Sequence, residues 1–111
     1  MKRILFIALS VLCLLPSCNN KKQVREPDPL LTEQQMVDVM TDAYLIEAIL
    51  NQKKTTGEEV SQLQQTYYDQ LFEHYGITDS IFEANMDYYS QNLAVLERIM
   101  DSVTNRCIKA Q

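Results

Sequence analysis

The chain has 111 residues, a net charge of −5 and only two glycines. This length fits a single domain, and the acidic excess argues against a nucleic-acid partner, which requires a basic surface. Two glycines exclude the glycine-rich phosphate loops of nucleotide-binding proteins. One histidine and three cysteines, two of which export removes or acylates as argued below, exclude a zinc site with four Cys/His ligands. No cofactor or metal is therefore expected.

The first 17 residues are typical of a signal peptide. A short positive segment, Met1-Lys2-Arg3, precedes an apolar run over residues 4–15, which is too short to span a bilayer, since that takes ~20 residues. Leu15-Pro16-Ser17-Cys18 resembles a bacterial lipobox, although proline departs from the usual residue at its position. We predict a lipoprotein signal peptide at 1–17 and lipidation of Cys18. The alternative is an ordinary signal peptide that ends at a chance cysteine.

Cleavage before Cys18 would leave 94 residues with a net charge of −7 and Cys107 as the one free thiol. Residues 18–31 are predicted to be a lipidated cysteine followed by a flexible tether, because two prolines exclude a helix interior there. By resemblance to bacterial sorting signals, Asn19 favours the outer membrane, and the lack of an acidic export signal favours its periplasmic face. We expect an exported, membrane-anchored protein at that location.

Three helices are predicted for the domain at residues 32–111. They begin after Thr32, Thr56 and Thr78 and end near Gln52, Tyr75 and Cys107. Threonine is a good N-cap, and a Glu or Gln three residues after the first two completes a capping box. Gly76 is suited to the left-handed conformation that often ends a helix. Short connections make neighbouring helices antiparallel. The predicted fold is all-α, an up-down-up three-helix bundle with a long C-terminal helix.

Apolar residues of the third helix recur every three or four positions. They are Phe82, Met86, Tyr89, Leu93, Leu96, Met100, Val103 and Cys107. This spacing predicts a coiled-coil-like seam. Because the third helix is longer than the others, its last turns are expected to extend beyond the bundle. Val103 and Cys107 then contact Leu30 and Leu31 or another protein, unless this end simply frays.

Glu47 is the most unusual residue by position, because it lies in the middle of the apolar arc of the first helix. A buried carboxylate needs hydrogen bonds or a raised pKa, and a raised pKa suits a general acid or base. His74 is also on an apolar arc, but helix geometry places it about 18 Å away. We therefore assign no catalytic residue and predict a candidate polar site in which Glu47 binds the hydroxyl of Tyr67 or Tyr89.

Two tyrosine pairs, Tyr67-Tyr68 and Tyr88-Tyr89, are predicted at matching heights on the second and third helices. Tyr68 and Tyr88 fall beside the core faces, and tyrosines so placed can grip a partner. Together with Val103 and Cys107 they form the candidate interaction surface. The alternative is that the tyrosines are only the rim of the bundle.

Two segments carry a resemblance to known proteins: Asp42-Ala43-Tyr44-Leu45-Ile46-Glu47-Ala48, and Leu71-Phe72-Glu73-His74-Tyr75-Gly76-Ile77-Thr78. With Phe82, the Tyr88-Tyr89 pair and Cys18, they resemble a Bacteroidota family of small lipoproteins that carry a domain of unknown function. The resemblance implies a helical, exported, membrane-anchored protein. It implies no activity or substrate.

The leading hypothesis is a non-enzymatic lipoprotein that binds another component of the cell envelope, with the membrane as its second partner through Cys18. One alternative is a small envelope hydrolase or lyase with Glu47 as general acid/base. Another is a carrier of a lipid or peptide, since methionines give an adaptable core. The sequence leaves the oligomeric state open.

Overall fold

The computed structural model describes residues 24–110, of which 77% are helical and none are in strands. Four helices follow in order: α1 Glu33–Thr55, α2 Ser61–Tyr75, α3 Asp79–Ser90 and α4 Leu93–Lys109. The predicted all-α class is confirmed. None of the four is long and apolar enough to cross a membrane. The predicted signal peptide and Cys18 lie outside the described residues.

Local signals place three of the helix ends correctly. Thr32 caps α1 through a capping box, in which its hydroxyl accepts from the Gln35 N–H and the Gln35 side chain accepts from the Thr32 N–H. Gly76 ends α2 with φ of 65°, in the left-handed region that glycine tolerates. Thr78 caps α3 by accepting a hydrogen bond from the N–H of Ile81.

The boundary between α1 and α2 differs from the prediction. Thr56 does not begin α2; its backbone N–H bonds to the carbonyls of Gln52 and Lys53 and so ends α1. The second helix begins only at Ser61, after Val60, which makes no side-chain cap. The chain reverses over residues 56–60, later than the turn near residue 54 that the sequence suggested.

The predicted long C-terminal helix is wrong, because it is divided into α3 and α4 at Gln91 and Asn92. Asn92 adopts an extended backbone conformation, and its side chain accepts a hydrogen bond from the N–H of Val95 as the N-cap of α4. Asparagine favours such caps over helix interiors. Leu93, which the apolar spacing placed in the seam, is 76% exposed.

Side-chain pairs show the direction in which the helices run. Glu47 contacts Tyr68 and Asp42 contacts Tyr75, so α2 is antiparallel to α1. Ion pairs join Glu33 to Arg98 and Asp38 to Arg106, so α4 runs in the same direction as α1. Over residues 24–110 the domain thus has four helices and not the predicted three, with α2 antiparallel and α4 parallel to α1.

The core is built by the first half of α1 together with α3, α4 and the segment before α1. Its buried members are Leu31, Met36, Val37, Met40, Tyr89, Ile99 and Val103. Val103 is 1% exposed, and the half-buried Cys107 packs against the same cluster. Val103 and Cys107, which were predicted as part of an interaction surface, therefore lie against the core, because α4 packs along α1.

The segment before α1 is attached to the domain over its described length. The fully buried side chain of Asn85 accepts a hydrogen bond from the Leu31 N–H at 2.8 Å and donates one to the Pro29 carbonyl at 3.1 Å. Further back, the Gln91 amide bonds to both the N–H and the carbonyl of Val24. The predicted flexible tether is thus bound to α3 and its C-terminal end from Val24 onward, because the orphan backbone groups of this segment find amide partners.

Candidate functional site

Glu47 lies half-buried on α1, and its carboxylate accepts a hydrogen bond from the Tyr68 hydroxyl at 2.5 Å. A tyrosine partner was predicted, but Tyr67 or Tyr89 was named in place of Tyr68. Tyr67 and Tyr68 are neighbours, so the difference lies in the face of α2: Tyr68 points at Glu47, and Tyr67 lines another groove. The α1–α2 loop is also centred about four residues later than predicted, which shifts α2 along α1 by about two helical turns.

The other two members of the predicted polar site lie elsewhere. The buried Tyr89 hydroxyl donates to the carbonyl of Leu31, and the Tyr89 ring packs edge-on against Tyr88 with centroids 5.4 Å apart. Burial is the main cause that raises the pKa of Tyr89. Tyr67 lines a second groove, beside His74, on the opposite side of α2 from Tyr68. The structure therefore does not bring Glu47, Tyr67 and Tyr89 together.

The tyrosine pairs also do not form the predicted single cluster. Tyr68 packs against Phe72, and Phe72 against Phe82, with centroids 6.1 and 5.8 Å apart. This aromatic row links α2 to α3. Tyr88 is half-buried against the core near Tyr89. Tyr68 and Tyr88 thus belong to two different packing groups, and with Val103 and Cys107 they do not make one continuous surface.

Two apolar grooves flank the pair formed by α1 and α2. The Glu47 groove has a volume of about 240 Å³ and is lined mainly by Met40, Tyr44, Glu47, Tyr68, Phe82 and Met86. The His74 groove, of about 330 Å³, is lined mainly by Asp42, Leu45, Ile49, Tyr67, Leu71 and His74. Both are open, and α1 contributes one wall to each.

A second tyrosine–carboxylate pair, which the sequence analysis did not identify, fastens the other end of α2. The Tyr75 hydroxyl donates to Asp42 Oδ2 at 2.5 Å and lies 3.3 Å from the backbone carbonyl of Asp38. Arg106 of α4 forms an ion pair with the Asp38 carboxylate. These contacts join α1, α2 and α4. Only the antiparallel register of α1 and α2 brings Tyr75 to Asp42, so no local sequence signal could have revealed the pair.

Burial, together with the hydrogen bond to a carboxylate, raises the pKa of Tyr68 and of Tyr75 to about 12 from an ordinary value of 10.0. Both phenols therefore act as hydrogen-bond donors at neutral pH. Because the folded pKa exceeds the unfolded one, the stabilisation is complete below pH 10 and is lost as the pH rises toward 12.

We expect the free energy of unfolding to fall between pH 10 and pH 12, and to fall less steeply in Tyr75→Phe than in the wild type. Urea unfolding at a series of pH values measures both slopes. Tyr44→Phe is the control, since Tyr44 is exposed and makes no side-chain hydrogen bond within residues 24–110. Parallel curves for Tyr75→Phe and the wild type would contradict this assignment.

Among the described residues, no group of three histidine, cysteine or acidic side chains lies close enough to hold a metal ion. Glu47 and His74, the two residues that suggested acid–base chemistry, line separate grooves. The Glu47 groove therefore has apolar walls, one carboxylate and one phenol that donates a hydrogen bond.

The profile of DUF4296, a domain of unknown function, matches residues 27–111. The chain belongs to the DUF4296 family. Comparison with curated proteins and with solved structures gave no match. The DUF4296 match begins at Pro27, and thus includes the segment that Asn85 holds against α3. This agrees with the structure, in which that segment is part of the domain.

Proposed function

We propose that this DUF4296 protein is an exported lipoprotein, anchored through Cys18 in the outer membrane and facing the periplasm, that binds another protein of the cell envelope. The positive start, the short apolar run and the lipobox-like Leu15–Cys18 support the anchor. A lipid on Cys18 stabilises membrane attachment by ~0.8 kcal/mol per buried methylene, so two or three acyl chains hold the domain durably.

The observation that supports protein binding is that the rest of the domain covers only part of the second half of α1. Over Ala43–Leu50 this helix is apolar on every side except at Glu47, and a helix of that kind is ordinarily buried all round. Yet Tyr44, Leu45 and Ile49 are 49%, 41% and 44% exposed. Continuous exposed apolar surface of this sort marks interaction sites. The second half of α1 and its two grooves are therefore the proposed binding surface.

This surface replaces the one that the sequence suggested. The sequence placed the docking face on the seam of the predicted third helix, but Val103 of that seam is 1% exposed, and Met100 and Cys107 pack against the core. Leu93 and Ile108 are also exposed, but they lie at opposite ends of α4, whereas the three exposed apolar residues of α1 lie within six residues of one another, beyond the core cluster. The interaction hypothesis therefore stands on a different helix from the one that first motivated it.

The two alternatives receive less support from the geometry. A hydrolase or lyase that uses Glu47 needs a second group able to give or take a proton beside it. Tyr68, whose pKa is about 12, keeps its proton at neutral pH, and His74 lines the other groove. A carrier needs an enclosed pocket, whereas both grooves are open and lie near or below the ~300 Å³ lower limit of ordinary ligand pockets.

Site-specific photo-crosslinking in cells tests the proposal. A photoreactive residue at Ile49 is expected to capture one dominant envelope protein, and one at the exposed Thr104 of α4 is expected to capture none. Leu45→Lys should lower the Ile49 yield by about tenfold, the effect of ~1.4 kcal/mol at a contact residue. Cys18→Ser should move the protein from the membrane to the soluble fraction. Equal capture from both positions, or none from Ile49, would overturn the binding proposal.

A further inference from the structure

Glu47 is a carboxylate without a cation in an apolar groove. Its one hydrogen bond in the described part of the chain comes from Tyr68, and the ion pairs found there involve other residues. A half-buried carboxylate is poorly solvated, and a cation beside it recovers part of that cost. The groove therefore contains one charge that the fold itself does not neutralise.

The surroundings of the groove carry charge of the same sign. Residues 55–97 contain eight Asp and Glu and no Lys or Arg. On α3, three exposed acidic residues, Asp79, Glu83 and Asp87, are spaced four apart. Glu83 and Asp87 each follow a groove residue, Phe82 or Met86, and lie about 100° further around α3, so they place their charge on the exposed face of α3 next to the groove lining. The potential at this groove is negative and attracts cations.

The walls of the groove suit the stem of a long basic side chain. The groove that Glu47 lines is also lined by methionine and aromatic side chains, namely Met40, Tyr44, Phe82 and Met86. The methylene stem of lysine or arginine packs on apolar surface while its charged end reaches a polar group, and aromatic faces attract that charge further. At about 240 Å³ the space is smaller than drug-sized ligand pockets of ~300 to 1,000 Å³ and fits a protruding side chain.

We infer that the Glu47 groove binds a lysine or arginine side chain on a basic amphipathic helix of the partner protein. This rests on the proposed function, and it names the chemistry of that partner. The cation meets Glu47, apolar residues of the same helix cover Tyr44 and Met86, and further basic residues face Glu83 and Asp87. A second copy of this chain is disfavoured, since residues 24–110 carry 15 acidic and six basic residues and would repel one another.

The test uses the full-length chain in phosphatidylcholine nanodiscs and two synthetic amphipathic helices of ~18 residues. One is built from Leu, Ala and Lys, and the other has Glu in place of Lys. The Lys peptide is expected to bind and the Glu peptide not to bind. Glu47→Gln should weaken binding of the Lys peptide about tenfold, as for a charge-assisted hydrogen bond. Glu97→Gln, an exposed change of the same charge on α4, should weaken it less than twofold.

A second pair of variants keeps the test valid if Glu47→Gln folds poorly. Glu83→Gln with Asp87→Asn should weaken the Lys peptide about threefold and reduce its salt dependence. Glu97→Gln with Asp101→Asn, the same exposed spacing on α4, should leave binding unchanged. Equal effects from both pairs of variants would overturn the inference. It would also be overturned if sedimentation showed a dimer that Glu47→Gln dissociates, because the occupant of the groove would then be a second copy of the chain.

The same Glu47→Gln variant separates this inference from the proposed function. In the crosslinking experiment it should lower the Ile49 yield, while Glu97→Gln should not. A crosslink that Glu47→Gln leaves unchanged would overturn the Glu47 groove as the contact and leave protein binding in place. The absence of any crosslink in the wild type would overturn the proposed function itself.

Discussion

Replacing Asn85 with alanine is expected to lower the free energy of unfolding by about 3 kcal/mol. The side chain is 0% exposed, and it binds the Leu31 N–H, the Pro29 carbonyl and the Ile81 carbonyl. Alanine would leave the buried Leu31 N–H without a partner, at a cost of ~1 to 3 kcal/mol, and would also remove the hydrogen bond to the part-buried Pro29 carbonyl. Urea unfolding measures the loss.

Asn105→Ala is the matched control, because Asn105 lies exposed on α4. It should change the free energy of unfolding by less than ~0.5 kcal/mol. Hydrogen exchange gives a local readout, since the amide of Leu31 should lose protection in Asn85→Ala before the amides of α4 do. Equal stability of the two variants would show that Asn85 does not hold the N-terminal segment.

The second large effect is expected at the contact between α1 and α4. Ile99 is 1% exposed and belongs to the main core cluster. Ile99→Ala should destabilise the protein by about 3 to 4 kcal/mol, from lost transfer free energy plus the cavity left behind. Calorimetric or urea unfolding measures this.

Leu93→Ala is the control for Ile99→Ala and also tests the break between α3 and α4. The apolar spacing of the sequence placed Leu93 in the seam with Val103, but the structure leaves it 76% exposed at the start of α4. Its truncation should change stability by less than ~0.5 kcal/mol. A loss comparable to that of Ile99→Ala would mean that α3 and α4 form the continuous helix that the spacing predicts.

The comparison of these two residues shows where the periodic pattern ceased to be informative. Apolar residues that recur every three or four positions do not show whether a capping residue lies between them. Asn92 lies between them and is the N-cap of α4. Asparagine within an apolar repeat was the available signal for the break. After the break, Val103 is the one residue of the predicted repeat that is buried, and Ile99, which the repeat did not include, is the other buried residue of α4.

The sequence predicted the type of contact at the candidate site, a carboxylate bound by a tyrosine hydroxyl, but not which tyrosine makes it. An apolar arc interrupted by Glu47 indicates that a polar partner must be near, and a tyrosine hydroxyl is indeed that partner. Which of the two neighbouring tyrosines it is depends on the face that α2 turns toward Glu47. Adjacent residues of a helix point about 100° apart, so an assignment of Tyr67 to the core face put Tyr68 beside it, whereas the structure points Tyr68 at Glu47.

What the sequence by itself determined is the set of local events: an all-α chain, the caps at Thr32 and Thr78, and the glycine at which α2 ends. These depend on hydrogen bonds and backbone preferences within a few residues, so they can be predicted from the sequence without knowledge of the fold. Only the tertiary structure decided that Asn85 binds the segment before α1, that Tyr68 meets Glu47, and that the second half of α1 is left uncovered. Each joins residues far apart in the chain, and depends on loop length and helix register, which local preferences do not specify.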